Sequence, residues 1–131
     1  MELSRELIRA VVGPMEVRPG GAESPLDGCQ RRQGRTTLCG SVTIYDLWRG
    51  QVGEALPVGV RDISTGGICI LQYQEMMAGQ KFIAELPVPG AQPVRVVCQV
   101  KYCHSVNEEL LAIGAEFVGT WTGALPATRA A

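Results

Sequence analysis

Asp62-Ile63-Ser64-Thr65-Gly66-Gly67 stands between two apolar runs and reads as the end of a strand followed by a tight turn. Asp62 and Ser64 are two apart, so on a strand they share a face, one offering a carboxylate that accepts and the other a hydroxyl that donates or accepts. Gly66 and Gly67 allow positive φ or the close approach of a ligand to bare backbone. By itself the turn is ordinary hairpin chemistry, with Asp62 free to bond its backbone. A second stretch upstream, Gly28-Cys29-Gln30-Arg31-Arg32-Gln33-Gly34-Arg35, supplies the charge that the turn lacks. It holds three of the chain's twelve basic side chains, and each is Arg rather than Lys. A guanidinium is a rigid fork of donors matched to a phosphate or to the O6/N7 edge of guanine. Arg31 and Arg35, four apart, point the same way in a helical turn or an extended arm. A strand-borne acid and hydroxyl, bare backbone and a pair of guanidiniums together suit guanine and phosphate.

Working outward, the chain around these stretches has the pattern of short strands. In 38–45, Leu38, Gly40, Val42 and Ile44 alternate with Cys39, Ser41, Thr43 and Tyr45, and 46–53 reads as a connection. Strands follow at 56–64, 68–73 and 80–86, the last ended by Pro87, Pro89 and Gly90. Val94, Val96, Cys98, Val100 and Tyr102 mark one face of a fifth strand, and Leu111, Ile113, Ala115 and Phe117 one face of a sixth. Six short strands predict an all-β fold, a closed or nearly closed antiparallel barrel that leaves no edge to pair between molecules. Ahead of it, 3–12 reads as a short amphipathic helix with Leu3, Leu7, Ile8, Val11 and Val12 on one side. Ten residues are marginal as an isolated helix, so this face must dock, on the barrel in the preferred reading or on another copy. Pro14, Pro19, Gly20, Gly21 and Pro25 make the lead into the arginines a mobile connection. The expected organisation is a helix and lead over 1–27, the barrel over 28–120 and a tail over 121–131. Gly123 and Pro126 allow that tail no more than about a turn of helix, which makes the N-terminal helix a candidate cover for the barrel's open end.

Arg31-x-x-x-Arg35 followed by Asp62-x-Ser64-x-x-Gly67 resembles the two-part signature of the PilZ domain, a bacterial receptor for cyclic di-GMP. Gly79-Gln80-Lys81-Phe82, the strand over 94–103 and Ile113-Gly114-Ala115-Glu116-Phe117-Val118 resemble later family features in the family's order. The resemblance implies a six-stranded PilZ-type β-barrel in which Arg31 and Arg35 grip guanine edges and phosphates, Asp62 and Ser64 hold a guanine, and Gly67 lets backbone approach. Gln30, Arg32 and Gly66 are secondary candidates, with Gln30 at the position involved where two stacked ligands bind; one ligand or two stays open. The expected mechanism is an arm that folds on binding and so changes the surface shown to an effector protein. Monomer and homodimer are both compatible with it. The alternative is a PilZ-like barrel that binds no nucleotide and acts purely as a protein-interaction module.

Composition excludes several classes. A net charge of −1 over 131 residues argues against broad attraction to nucleic acid. The seven aromatics are too few for single-strand stacking platforms. No apolar run approaches the roughly 18 residues of a membrane span, and 1–6 lacks a secretory n-region, so a cytoplasmic location is expected. Cys29, Cys39, Cys69, Cys98 and Cys103 form no Cys-x-x-Cys pair and read as reduced thiols. On a regular strand Cys98 and Cys103 fall on opposite faces, which argues against a zinc site with His104. Ser64, His104 and Asp62 have no nucleophile elbow around them, so no enzyme, cofactor or metal is expected.

Overall fold

The computed structural model describes residues 1–13, 16–17 and 38–123. These contain one helix, α1 (Arg5–Val12), and seven strands: β1 (Glu16–Val17), β2 (Leu38–Trp48), β3 (Gln51–Ile63), β4 (Gly67–Gln72), β5 (Lys81–Leu86), β6 (Val94–Ser105) and β7 (Leu111–Thr120). Neighbours run β2-β3-β4-β7-β6-β5, and a further β5–β2 pairing closes the ring into the expected six-stranded antiparallel barrel. β1 is an addition of two residues on β2, with Glu16 opposite Cys39 and Val17 opposite Leu38. The lead is therefore tied down at 16–17, while its remainder and the whole Gly28–Arg35 stretch lie outside the described residues, as does 124–131 of the tail.

Period-two alternation fills the interior. Val42 and Ile44, Val58 and Val60, Ile68 and Ile70, Phe82, Ala84 and Leu86, Val96, Cys98 and Val100, and Ile113, Ala115 and Phe117 make one core. Burial of Cys98 pushes its thiol up to about 12, since the low-dielectric interior disfavours the thiolate.

The apolar face of α1 docks on this barrel. Leu3 and Val11 are buried in the core, with Leu7, Ile8 and Val12 packed against it. The helix starts at Ser4, whose side chain accepts from the Leu7 N–H at 3.0 Å. Leu3 N–H donates to Thr65 O at 2.8 Å, which fixes the helix start at the barrel end where the β3–β4 turn lies. At the opposite end Met76, in the loop after β4, is buried in the core. That loop is pinned by Gly79 N–H to Val100 O and Val100 N–H to Gln80 O, both 2.8 Å.

Two expectations need correction. The 46–53 stretch is not a connection: β2 and β3 continue to Trp48 and Gln51, joined through Arg49 (φ 52°) and Gly50 (φ 79°). Two positive φ values are what a two-residue hairpin turn requires. Arg at the first of them hides the signal that Asn-Gly would have given. The second concerns the faces of β6. Between Val100 opposite Ala115 and Tyr102 opposite Gly114, Lys101 is an extra residue in the register. This bulge reverses the alternation, so Tyr102 leaves the interior face and is 42% exposed, while Cys103 packs against the core.

Candidate functional site

A second bulge shapes the acid strand. On β3, Val60 pairs with Ile70 and Asp62 with Cys69, so Arg61 is the extra residue of the bulge. Val60 and Ile63 both enter the core although three apart. Asp62 and Ser64, beyond the bulge, therefore share the outer face, as their spacing predicts. Asp62 is only 9% exposed, a carboxylate held in place rather than one that swings in solvent.

The turn is closed by Ser64 N–H to Gly67 O at 2.9 Å. Ser64 Oγ accepts from Gly66 N–H at 3.3 Å and donates to Gly67 O at 3.5 Å, a hydroxyl-stabilised turn of the kind Ser favours. Neither Gly66 nor Gly67 adopts the left-handed region. What Gly67 permits is close approach by β7, since a Cβ there would stand 2.3 Å from Ala115 O and 3.2 Å from Glu116 Cα. Phe117 N–H donates to Gly66 O at 2.9 Å alongside. The absence of a side chain at Gly67 thus has a folding reason independent of any ligand.

The register places four outward-facing residues in one row across four strands: Asp62 on β3, Cys69 on β4, Gly114 on β7 and Tyr102 on β6. Beside this row lies a hollow of about 310 Å³ lined by Ser64, Gly66, Gly67, Cys69, Lys101 and Tyr102, among others. Tyr102 leans over bare backbone: a Cβ on Gly114 would meet its ring carbon Cζ at 2.2 Å. The Tyr102 ring is also stacked on His104, with centroids 5.1 Å apart and planes 3° apart. At the rim Lys101 Nζ is 3.5 Å from Glu116 Oε1. Sequence reasoning missed Tyr102 because a bulge at Lys101 has no compositional mark; the available signal was that Val100 and Cys103, both suited to a core, are three apart.

The structure thus brings Asp62, Ser64, Gly66 and Gly67 together at one barrel end. Gln30, Arg31, Arg32 and Arg35 lie outside the described residues. Among the described residues no group of His, Cys, Asp or Glu is arranged to hold a metal ion, and no helix is long and apolar enough to cross a membrane.

No curated protein matches the chain. Among solved structures, one similar to it is the Bacillus subtilis inhibitor of motility (MotI/DgrA), at 13% identity and a TM-score of 0.47. The similarity covers 70% of this chain and 44% of that one, so this chain spans less than half of that protein's length. A family model described as the PilZ domain matches residues 30–120, a span that takes in both signature stretches and all six barrel strands. The chain belongs to the PilZ domain family.

Proposed function

We propose that this chain is a receptor domain that binds cyclic di-GMP and passes the event on through protein–protein contacts. The observation that carries the reading is the acid and the hydroxyl, with the hollow that Ser64 lines beside them, at the barrel end where Val17 and Leu38 bracket the arginine stretch. Val17 and Leu38, the residues that flank 18–37 in the sequence, lie opposite each other. β2 runs antiparallel to β3 with Gly40 opposite Val60, which sets Leu38 at the same end as Ile63 and Ser64. Arg35 precedes Leu38 by three residues in the sequence.

In this reading Arg31 and Arg35 grip guanine edges and phosphates. Asp62 accepts from guanine N1–H and N2–H, a polarity adenine cannot present. Ser64 holds the same base and the bare backbone at Gly67 allows approach, with Gln30, Arg32 and Gly66 around them. Binding is the whole activity and needs no cofactor. Ordering of the arginine segment over the ligand alters the surface offered to an effector protein.

Isothermal titration of cyclic di-GMP into wild type, Arg31→Ala and Asp62→Ala tests this. Each good bidentate contact is worth about 1–3 kcal/mol, so each variant loses on the order of tenfold to a hundredfold in affinity. Wild type that takes up no nucleotide would refute the receptor reading and leave the barrel as a protein-interaction module.

A further inference from the structure

We propose that the open edge of β3 over 51–58 is a strand-addition site for an extended segment of a partner protein, one with basic side chains on one face and apolar side chains on the other. The inference goes beyond the nucleotide reading and needs no nucleotide bound. The edge lies at the start of β3, whereas Asp62 and Ser64 stand at its close.

The barrel closes, but not along the whole of β3. On one side β3 pairs with β2 from Gln51 opposite Trp48 to Val60 opposite Gly40. On the other, pairing with β4 begins only at Gly59 opposite Leu71. β2 is covered on its far side by β5 as far as Leu47 opposite Lys81. The β2–β3 hairpin therefore overshoots the ring with one edge open, and among the described residues no strand pairs along 51–58 on that side. Proline within a sheet is confined to such edges, because it has no N–H to give a ladder, and Pro57 stands in this one. Glu54, Ala55, Leu56 and Pro57 are all exposed. An unpaired strand is a template for another strand.

Hollows on the two faces of the edge decide what that strand carries. Gly59 and Leu71 are register partners and share the outer face with Pro57 and Tyr73, two residues further on. These four line a hollow of about 570 Å³ where β3 and β4 part, together with Gln72 among others. Gln72 is 6% exposed; its Nε2 donates to Gln74 O at 2.9 Å, and its Oε1 is buried with no donor among the described residues. A buried acceptor left over in this way is costly until an incoming N–H meets it. Leu56 lies on the other face with its register partner Ile44, a core residue. There a hollow of about 290 Å³ is lined by Ile44, Leu56, Asp46 and Glu54, among others. Asp46 and Glu54 are exposed and form no ion pair among the described residues.

Successive side chains of an added strand alternate between faces. Its apolar ones enter the larger hollow, and its basic ones meet Asp46 and Glu54. Main-chain bonds to the edge supply affinity and the hollows supply selectivity. A second copy of this chain is the poorer occupant, because edge-to-edge pairing would gather Asp46 and Glu54 of both copies along one seam, where like charges repel.

The test is titration of a capped Lys-Val-Lys-Val-Lys-Val-Lys-Val peptide into the full chain without nucleotide, followed by NMR shifts and amide hydrogen exchange. Exchange over 51–56 is expected to slow as the peptide binds. Glu in place of every Lys should weaken binding on the order of tenfold, and the double variant Asp46→Lys, Glu54→Lys should reverse the preference. If that variant does not fold, the peptide series on wild type decides alone. Two further peptides carry N-methyl groups, one on the Lys nitrogens and one on the Val nitrogens. One of these sets faces β3, so at least one of the two must lose binding. Undiminished binding of both overturns strand addition. Unchanged exchange over 51–56 at millimolar peptide overturns the site, and so does equal uptake of the Glu peptide or a preference that the folded double variant fails to reverse. Slow exchange there without peptide, with a dimer's mass in solution, assigns the edge to a second copy and overturns the partner. No outcome depends on cyclic di-GMP, so the receptor reading stands or falls separately.

Discussion

Replacing Gly67 with Ala separates what this glycine does for the barrel from the nucleotide role proposed for it. The new Cβ would lie 2.3 Å from Ala115 O and 3.2 Å from Glu116 Cα, and both obstacles are backbone of β7 that no rotamer change can clear. Relief requires β4 and β7 to part where Gly67 pairs with Glu116, next to the 2.9 Å bond from Phe117 N–H to Gly66 O. Overpacking of this kind costs typically 1–3 kcal/mol, and an unyielding backbone neighbour puts it near the upper end, about 3 kcal/mol. For a chain of this size that is a fall in Tm of about 10 °C. Gly66→Ala is the internal control. Nothing lies within 4 Å of a Cβ at Gly66 and its φ is outside the left-handed region, so the change should stay within about 0.5 kcal/mol of wild type. Thermal unfolding followed by circular dichroism, without ligand, measures both. Melting of Gly67→Ala at the same temperature as Gly66→Ala would refute the reasoning and leave only a ligand role for Gly67.

Two further outcomes are expected. Removing residues 1–13 strips Leu3 and Val11 from the core and should lower Tm; the single change Val11→Ala should cost about 2 kcal/mol, and unchanged melting in both would mean that α1 is not a cover. Cys98 has its thiol raised from 9.0 to about 12 by burial, so between those values the native state holds a proton that the unfolded state has released. Its contribution to stability is fully present below about pH 9 and is lost as pH rises towards 12; urea midpoints should fall across that window and fall less steeply in Cys98→Ala, and parallel curves would contradict this.

Much of the barrel was legible because its interior obeys a period of two. Ile68 and Ile70, Phe82, Ala84 and Leu86, and Ile113, Ala115 and Phe117 announce their faces, and each is buried or nearly so in the core. The helix, expected over 3–12 and formed over Arg5–Val12, was legible in the same way, from a stripe that had to be covered. The places where reading failed are those where one residue more or less changes the count. Arg49 takes a positive φ without being glycine, which hid a hairpin. Lys101 interrupts β6 and sends Tyr102 to the other face. Bulges are set by pairing with a neighbouring strand distant in sequence, so the local pattern marks them only by a three-residue gap such as that between Val100 and Cys103. Arg61 is the instructive contrast. Its bulge was equally invisible, yet the face shared by Asp62 and Ser64 came out as expected, because both residues lie on the same side of it. The turn itself was legible, but not why Gly67 is bare, since the carbonyl that excludes a side chain belongs to Ala115.

The 2.8 Å bond from Leu3 to Thr65 also dictates how the molecule should be handled. A purification tag or bulky dye joined just ahead of Leu3 would crowd the loop that carries Ser64 and Gly66, so titrations that test the proposed nucleotide binding call for a chain without one there. Turned to advantage, a small environment-sensitive fluorophore at position 2, which is exposed, would sit beside that loop and report on its surroundings without any alteration to the pocket.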